Sequence, residues 1–257
     1  MTPRDALEIA RNVCECVRKS VCKIVGTEDA NEVVGFGCDG TPTKKIDIIA
    51  ESVALDILRE YDVTVLTEES GIVGDGDVFV SLDPIDGTFN AVKGIPIYST
   101  SICFSRSIKF EDTFLGYVMN LATCDEYYSL NGKSYKNDRK IKVSNRKDLR
   151  NSNILFYYPT RSYPFKRVRI LGSASLEICY VAEGVFDAFV DVRLKDGRGY
   201  LRSFDVCAGL FICKNAGARM SDHRGRELRN KSLSLDERFT LVVSNPHIHD
   251  EILRVIS

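Results

Sequence analysis

No stretch of the 257-residue chain approaches the roughly 20 apolar residues that span a bilayer, and Met1-Thr2-Pro3-Arg4-Asp5 is no secretion signal. Membrane insertion is thereby set aside, and a soluble, cytoplasmic protein is expected. An excess of one charge is missing too. With 35 basic and 36 acidic residues there is no electrostatic case for nucleic acid or membrane binding, and a small molecule is the expected partner. The nine cysteines are an odd number, scattered and without a C-x-x-C spacing, so neither a zinc site nor a disulfide framework is indicated. Most read as small apolar fillers, with Cys38 the one expected to be exposed. Repeats and low-complexity segments are absent as well. What remains is a chain of ordinary hydrophobic content, 44%, long enough for one domain or two closely packed halves.

The stretch that organises it is Ser81-Leu82-Asp83-Pro84-Ile85-Asp86-Gly87-Thr88. Val78–Leu82 reads as a buried strand that stops at two acids separated by a proline. Pro84 rigidifies the exit, and Gly87 lets the backbone approach a ligand and point its N–H at it. Asp83, the Ile85 carbonyl and Asp86 then offer hard oxygens to a cation, beside an anion cradle at the Gly87 and Thr88 amides. That pairing points to metal-assisted phosphoryl chemistry. An acidic turn after a strand is the plain alternative. An EF-hand fits poorly because, counted from Asp83, its ligand positions fall on Ile85, Gly87 and Gly94. A haloacid-dehalogenase phosphatase fits poorly too, since one residue too many stands between the acids.

Before this stretch, Thr2, Pro3 and Asp5 start a helix whose apolar positions run from Ala6 to Ile24 and which ends at Gly26. Gly35, Gly37 and Gly40 around Asp39 make a loop or hairpin, expected to be mobile without metal. Thr43 can cap a second helix with an apolar stripe Ile46, Ile49, Ala50, Val53, Ala54, Ile57 and Leu58, and Asp47 sits at the edge of that stripe. A strand at Val63–Thr67 delivers Glu68 and Glu69, and the Gly74–Asp77 linker reads as an exposed turn. After Thr88 come a brief helix, strands at Tyr98–Arg106, Phe114–Asn120 and Glu126–Leu130, and an Asn131-Gly132 hairpin leading to Lys140–Val143. Beyond about Asp148 strands at Asn153–Tyr157, Ala188–Val192 and Phe239–Val243 alternate with helices at Ser173–Glu183, Asp205–Ala216 and His247–Ile256. The expected halves are residues 1–147, α+β, and 148–257, α/β.

Taken in chain order, Thr67-Glu68-Glu69-Ser70, Asp83-Pro-Ile-Asp86-Gly-Thr88 with Asn90, and Phe204-Asp205-Val-Cys-Ala-Gly209 resemble the inositol monophosphatase family. Tyr157-Tyr158-Pro159 and Arg167-Val-Arg169-Ile-x-Gly172 look most like its archaeal branch with inositol-1-phosphatase and fructose-1,6-bisphosphatase activity. The resemblance implies a layered αβαβα fold of the α+β or α/β class, a homodimer and Mg²⁺ dependence. It implies a first metal on Glu68, Asp83 and the Ile85 carbonyl, a second on Asp83, Asp86 and Asp205, and a third on Glu68. Asp47 and Thr88 match the pair that activates the attacking water, and Asp39 matches the acid of the mobile catalytic loop. Asp86, Gly87, Thr88, Arg169, Ala174 and Arg193 match substrate contacts. Asp191 matches an acid set against sugar hydroxyls, and Arg169 and Arg193 are expected to read a second phosphate. Arg161, Lys166 and Arg167 read individually as solvated surface. Two departures stand out: Thr43-Lys-Lys-Ile-Asp47 is one residue longer than the usual T-x-x-D, and Phe204 stands where many relatives carry tryptophan.

With only His223, His247 and His249, all near the C-terminus, a histidine phosphatase is disfavoured. Two other functions stay open. A 3′-nucleotidase of the same fold would use Tyr157, Tyr158 and Tyr163 as a shelf for the base. A silent metal-binding regulatory protein would have to keep its acids in one cleft for no catalytic purpose, against their repulsion.

Overall fold

The computed structural model describes residues 1–37 and 41–257. Its α-helices are α1 (Pro3–Val21), α2 (Lys45–Leu58), α3 (Thr88–Lys93), α4 (Ala174–Ala182), α5 (Ser203–Asn215) and α6 (His249–Ile256). The Thr2 hydroxyl accepts from the Asp5 amide at 3.2 Å and Asp5 accepts from the Thr2 amide at 2.7 Å, the capping box expected at the start of α1. That helix stops at Val21, short of Gly26. The second helix begins later than expected. Lys44 is its cap residue, and Thr43 belongs to the preceding Pro42–Lys44 strand, its hydroxyl turned onto the Glu69 carboxylate.

Helices α1 and α2 bury Val13, Val17, Ala50 and Ala54 against one face of an eight-stranded sheet, together with Val80, Ile102 and Tyr117 of that sheet. From edge to edge its strands are Arg139–Ile141, Lys133–Lys136, Glu126–Leu130, Thr113–Asn120, Ser99–Ser105, Val78–Asp86, Val63–Thr67 and Gly71–Val73. Every pairing is antiparallel except that of Val63–Thr67 with Val78–Asp86, which brings the carboxyl ends of these two strands to one edge. On the other face Cys103, Val118 and Tyr127 meet α4 and α5, which in turn cover Leu155, Phe189 and Val243 of a second sheet. That sheet runs Arg167–Arg169, Asn153–Phe156, Ala188–Asp191, Leu241–Ser244 and Arg219–Ser221. Ile248 and Ile252 of the α6 segment close its outer face over Ile154, Phe156 and Val190. The layers are therefore αβαβα, as the resemblance implied.

Small residues make the middle layer possible. A Cβ on Gly116 would lie 2.5 Å from the Ala208 carbonyl oxygen, and one on Gly209 would lie 3.0 Å from Ile178, so α5 rests directly on the sheet and on α4.

Two strand expectations change. Asn131-Gly132, both at positive φ, folds Glu126–Leu130 back onto Lys133–Lys136, and a second turn at Asn137-Asp138 then leads to Arg139–Ile141. Lys133–Lys136 has no β-branched residue to announce it; Ser134 is buried there because its hydroxyl donates to the Ile212 carbonyl at 2.6 Å. The central strand does not stop at Leu82 but runs nine residues to Asp86. Its register goes from Asp83 opposite Ser101 to Asp86 opposite Ser99, so Pro84 and Ile85 together face Thr100 in a bulge. The Thr100 hydroxyl takes the Pro84 carbonyl at 2.8 Å. Among the described residues no helix is long and apolar enough to cross a membrane.

Candidate active site

The bulge aims Asp83 and Asp86 out of the strand while leaving both buried. Asp83 turns back on its own loop and accepts the Ile85 amide at 3.0 Å. Asp86 reaches the start of α4. One of its oxygens accepts from the Ser173 hydroxyl and the Ser175 amide at 2.7 Å and from the Ser175 hydroxyl at 2.5 Å; the other accepts the Ala174 amide at 3.2 Å. Ala174 is thus brought to Asp86 through its backbone. Gly87, at φ +93°, packs so closely that a Cβ would lie 3.0 Å from the Gly172 carbonyl and 3.1 Å from that of Ile97. Asn90 clamps the same corner, its amide nitrogen donating to the Ile97 and Leu171 carbonyls, both at 2.7 Å.

Asp47, in the first turn of α2, accepts from the Thr88 hydroxyl at 3.0 Å, a contact across 41 residues of sequence. The Ile85 carbonyl lies 3.2 Å from that same hydroxyl, so its single proton chooses between two acceptors. Glu68 leaves the end of the Val63–Thr67 strand. The turn that carries it is held by Glu51, which is buried and accepts from the Thr67 hydroxyl at 2.7 Å and from the Ser70 and Glu69 amides at 2.8 and 3.1 Å. Asp205 stands in the first turn of α5, which begins at Ser203, and takes the Arg202 amide at 2.7 Å.

These acids share one low-dielectric region. Burial pushes the Asp47 and Asp205 carboxyls up to about 7, with the Glu69 charge adding to the first and that of Asp86 to the second. Burial also raises Glu68, helped by Asp205, Glu69 and Asp47, and it raises Asp83, helped by Glu68, Asp86 and Asp205. For Asp86 burial again dominates, although the serine donors oppose it. Like charges gathered this way favour either protons or a cation of hard character, and the donors are all oxygens, which suits a hard divalent cation. Among the described residues no three such side chains are already drawn together into a closed cage.

A cleft of about 400 Å³ opens over Glu68 and Asp205, and Lys195, Arg198, Arg202 and Arg238 make the basic part of its wall. Sequence reasoning missed that wall. The signal available was Asp196-Gly197, both at positive φ, a tight turn joining Leu194–Lys195 to Arg198–Gly199. Glu51 was missed as well, because a lone glutamate on an exposed-looking helix face carries no sign of burial.

The expected substrate arginines differ from each other. Arg193 is held by Asp191 through Nε at 3.0 Å and Nη2 at 2.6 Å, and its guanidinium lies 4.0 Å from the Tyr200 ring centre and 4.7 Å from that of Tyr157. Asp191 is fully buried and engaged by Arg193. Arg169 is exposed, donating to the Val168 carbonyl at 2.7 Å. Arg161 is tied to the C-terminal helix through the Val255 carbonyl at 2.8 Å. Tyr163 stacks on Phe165 with ring centres 5.5 Å apart in the outermost layer, which removes it from the aromatic shelf; Tyr157 is buried and Tyr158 exposed. Asp39 and Cys38 lie outside the described residues. The described cysteines are free, five of the eight being buried, as apolar fillers should be.

The model of the inositol monophosphatase family matches residues 6–257. The chain belongs to that family. A fructose-1,6-bisphosphatase/inositol-1-monophosphatase of Archaeoglobus fulgidus is 49% identical over 256 residues, all of both chains. A bifunctional NADP phosphatase/NAD kinase of Methanococcus maripaludis is 36% identical over 98% of this chain and 49% of its own. Among solved structures, a Pyrococcus horikoshii protein described as similar to inositol-1 monophosphatase superposes with a TM-score of 0.87 at 28% identity, covering both chains fully. Membership of the inositol monophosphatase family makes this chain a phosphoric monoester hydrolase of a generally metal-dependent kind.

Proposed function

We propose that the cleft hydrolyses phosphate monoesters of small polyols and sugars, inositol 1-phosphate and the C1 phosphate of fructose 1,6-bisphosphate, with Mg²⁺ as cofactor. The observation that carries this is the Thr88 hydroxyl at 3.0 Å from an Asp47 carboxylate pushed up to about 7. A group with that pKa is matched to proton transfer near neutral pH. A water hydrogen-bonded to Thr88 Oγ passes its proton to that oxygen as the Thr88 proton moves to Asp47. The water oxygen bonds to phosphorus, the P–O bond to the substrate alcohol breaks, and the departing alkoxide takes a proton from solvent. The Gly87 and Thr88 amides hold the phosphate oxygens, while Ala174 and Arg169 border the alcohol and Arg193 orients it.

Glu68, Asp83 and the Ile85 carbonyl would hold one Mg²⁺, Asp83, Asp86 and Asp205 a second, and Glu68 would contribute to a third. When bound, the ions supply neutralisation of phosphate charge and a more acidic water. The family resemblance also supports a homodimer, which sedimentation would check.

A nucleotide phosphate is the second reading, favoured by the NADP phosphatase relative and by Tyr158 and Tyr200, both about half or more exposed beside Arg193. The test is phosphate release from inositol 1-phosphate, fructose 1,6-bisphosphate, NADP and adenosine 3′,5′-bisphosphate, with Mg²⁺ and with EDTA. Mg²⁺-dependent release from the first two supports the primary reading. Release confined to the nucleotides favours the second.

A further inference from the structure

Behind Asp86 lies a buried acid that the chemistry above does not use. Glu177 of α4 is fully buried, and among the described residues no cation pairs with it. Its Oε1 accepts the Leu171 amide at 2.6 Å, whereas its Oε2 is one of two buried side-chain oxygens among the described residues that have no hydrogen-bond partner. Burial pushes the carboxyl up to about 8; Tyr157 and the Leu171 amide oppose the rise, while Asp86 and Asp191 add to it. An acid in the first turn of a helix usually complements the helix dipole from the surface. One that is buried with an oxygen left over costs stability, and an apolar side chain in its place would avoid that cost.

What this acid holds is the segment that meets Asp86. Both backbone polar groups of Leu171 are taken by side chains, its amide by Glu177 and its carbonyl by Asn90 Nδ2 at 2.7 Å. Gly172 follows at φ +89° and reverses the chain, in a place where a Cβ would lie 3.0 Å from Asn90 Nδ2. The next three residues then supply every hydrogen bond that Asp86 accepts among the described residues, from two amides and two hydroxyls. The Gly172 carbonyl also packs against Gly87, the glycine of the anion cradle. On its other side Glu177 faces Tyr157, whose ring centre lies 4.7 Å from the Arg193 guanidinium. One carboxyl thus adjoins the segment that orders the acids and the tyrosine beneath Arg193.

We propose that Glu177 is a positioning residue for the hydrolysis: by holding the Leu171 amide it sets the turn at Gly172, and through that turn the donors of residues 173–175 that orient Asp86. The proposal rests on the phosphatase reading and adds to it a residue that acts only through others. Without its acceptor the Leu171 amide must find another partner, and the donors to Asp86 shift with it.

Glu177→Gln keeps an acceptor for the Leu171 amide, and Glu177→Leu removes it. The glutamine variant should hold kcat for inositol 1-phosphate within about threefold of wild type, whereas the leucine variant should lose about 10 to 100-fold in kcat and in Mg²⁺ affinity by calorimetry, with KM little moved. Thermal unfolding checks that the leucine variant is folded. Should it not fold, Glu177→Asp, which keeps the acid but draws its oxygens back by one methylene, carries the same expectation. Hydrogen exchange in EDTA reads the segment itself, and the amides of residues 171–175 should exchange about tenfold or more faster in the leucine or aspartate variant and not in the glutamine one. A folded leucine or aspartate variant with wild-type kcat, Mg²⁺ affinity and exchange overturns the proposal, even if its melting temperature falls. A glutamine variant as impaired as the leucine one overturns it too. Failure of the wild type to hydrolyse inositol 1-phosphate with Mg²⁺ would instead count against the phosphatase reading, and the exchange of residues 171–175 would still decide what Glu177 holds.

Discussion

Two groups at the site, an acidic wall at the end of the Val78–Asp86 strand and a basic wall lining the cleft over Glu68 and Asp205, carry opposite charge and are made in opposite ways. On the acidic wall Asp83 and Asp86 share one strand, a bulge sets their direction, and five backbone or hydroxyl donors fix their oxygens. On the basic wall Arg202 and Arg238 come from two strands separated in sequence, and Arg198 is brought beside them by Gly199, where a Cβ would meet the Phe239 backbone. The acids are held by hydrogen bonds and repel through burial; the cations are held by strand pairing and repel through register. A site whose positions come from local backbone can be read along the chain, whereas one assembled by distant pairing cannot.

If the acidic wall is the chemical one, its variants should lose turnover far more than variants of the basic wall. Asp86→Asn should lower kcat by about 10³-fold, the upper range for one electrostatic partner. Because Asp86 also caps the start of α4, the amide would set a donor against the Ala174 or Ser175 N–H, and stability should fall by about 1–2 kcal/mol without loss of fold. A urea titration beside a steady-state assay reads both. Wild-type kcat at saturating Mg²⁺ would remove Asp86 from the site.

Thr88→Ala should come next, lowering kcat by about 10²-fold while KM moves little, since the backbone amide is kept. An effect confined to KM would make Thr88 a phosphate ligand and no more.

Glu51→Gln tests the support beneath Glu68. It retains a carbonyl for at most two of the three donors and loses the charge they share, so stability should drop by about 1–3 kcal/mol and the apparent affinity for Mg²⁺ about tenfold. Unchanged Mg²⁺ dependence in a destabilised variant would mean that Glu51 serves the fold alone.

The smallest expected effect is on stability against pH in EDTA. Asp47 and Asp205 have folded pKa values near 7, above the unfolded value, so the folded state binds more protons between about pH 4 and 7 and stability falls as pH rises through that window. Buried His249, pushed down to about 4, works the other way below about pH 6.5, one group against several acids. The metal-free protein should therefore melt at a higher temperature at pH 5 than at pH 8, and Mg²⁺ should shrink the difference. A higher melting temperature at pH 8 in EDTA would show that the acids do not strain the fold.

Much of the acidic wall was legible because its chemistry is compressed into Asp83–Thr88 and its two neighbours Glu68 and Asp47 lie at element ends. The layer order came with the family resemblance, while the residues themselves gave the helices of Ala6–Val21 and Ile46–Leu58 one apolar face each and an alternating second half. What could not be read depended on tertiary choice. Thr43 looked like a cap and bonds Glu69 instead, the Asn131-Gly132 hairpin was expected to lead to Lys140–Val143 and returns as the Lys133–Lys136 strand, and Glu51, which nothing in the sequence marked, is buried. Asp191, read as a group for sugar hydroxyls, is held by Arg193, whose position among Tyr157, Tyr158 and Tyr200 needs three separate segments.

The central claim is that acids with raised pKa values are gathered for a divalent cation. Calorimetric titration of the metal-free protein with Mg²⁺ at pH 7, in two buffers of different ionisation enthalpy, tests it directly. Binding should expel protons from Asp47, Asp205 and their neighbours, so the apparent heat should differ between buffers by an amount corresponding to about one proton or more per protein. Mg²⁺ binding with no buffer dependence, or no binding at all, would contradict the account.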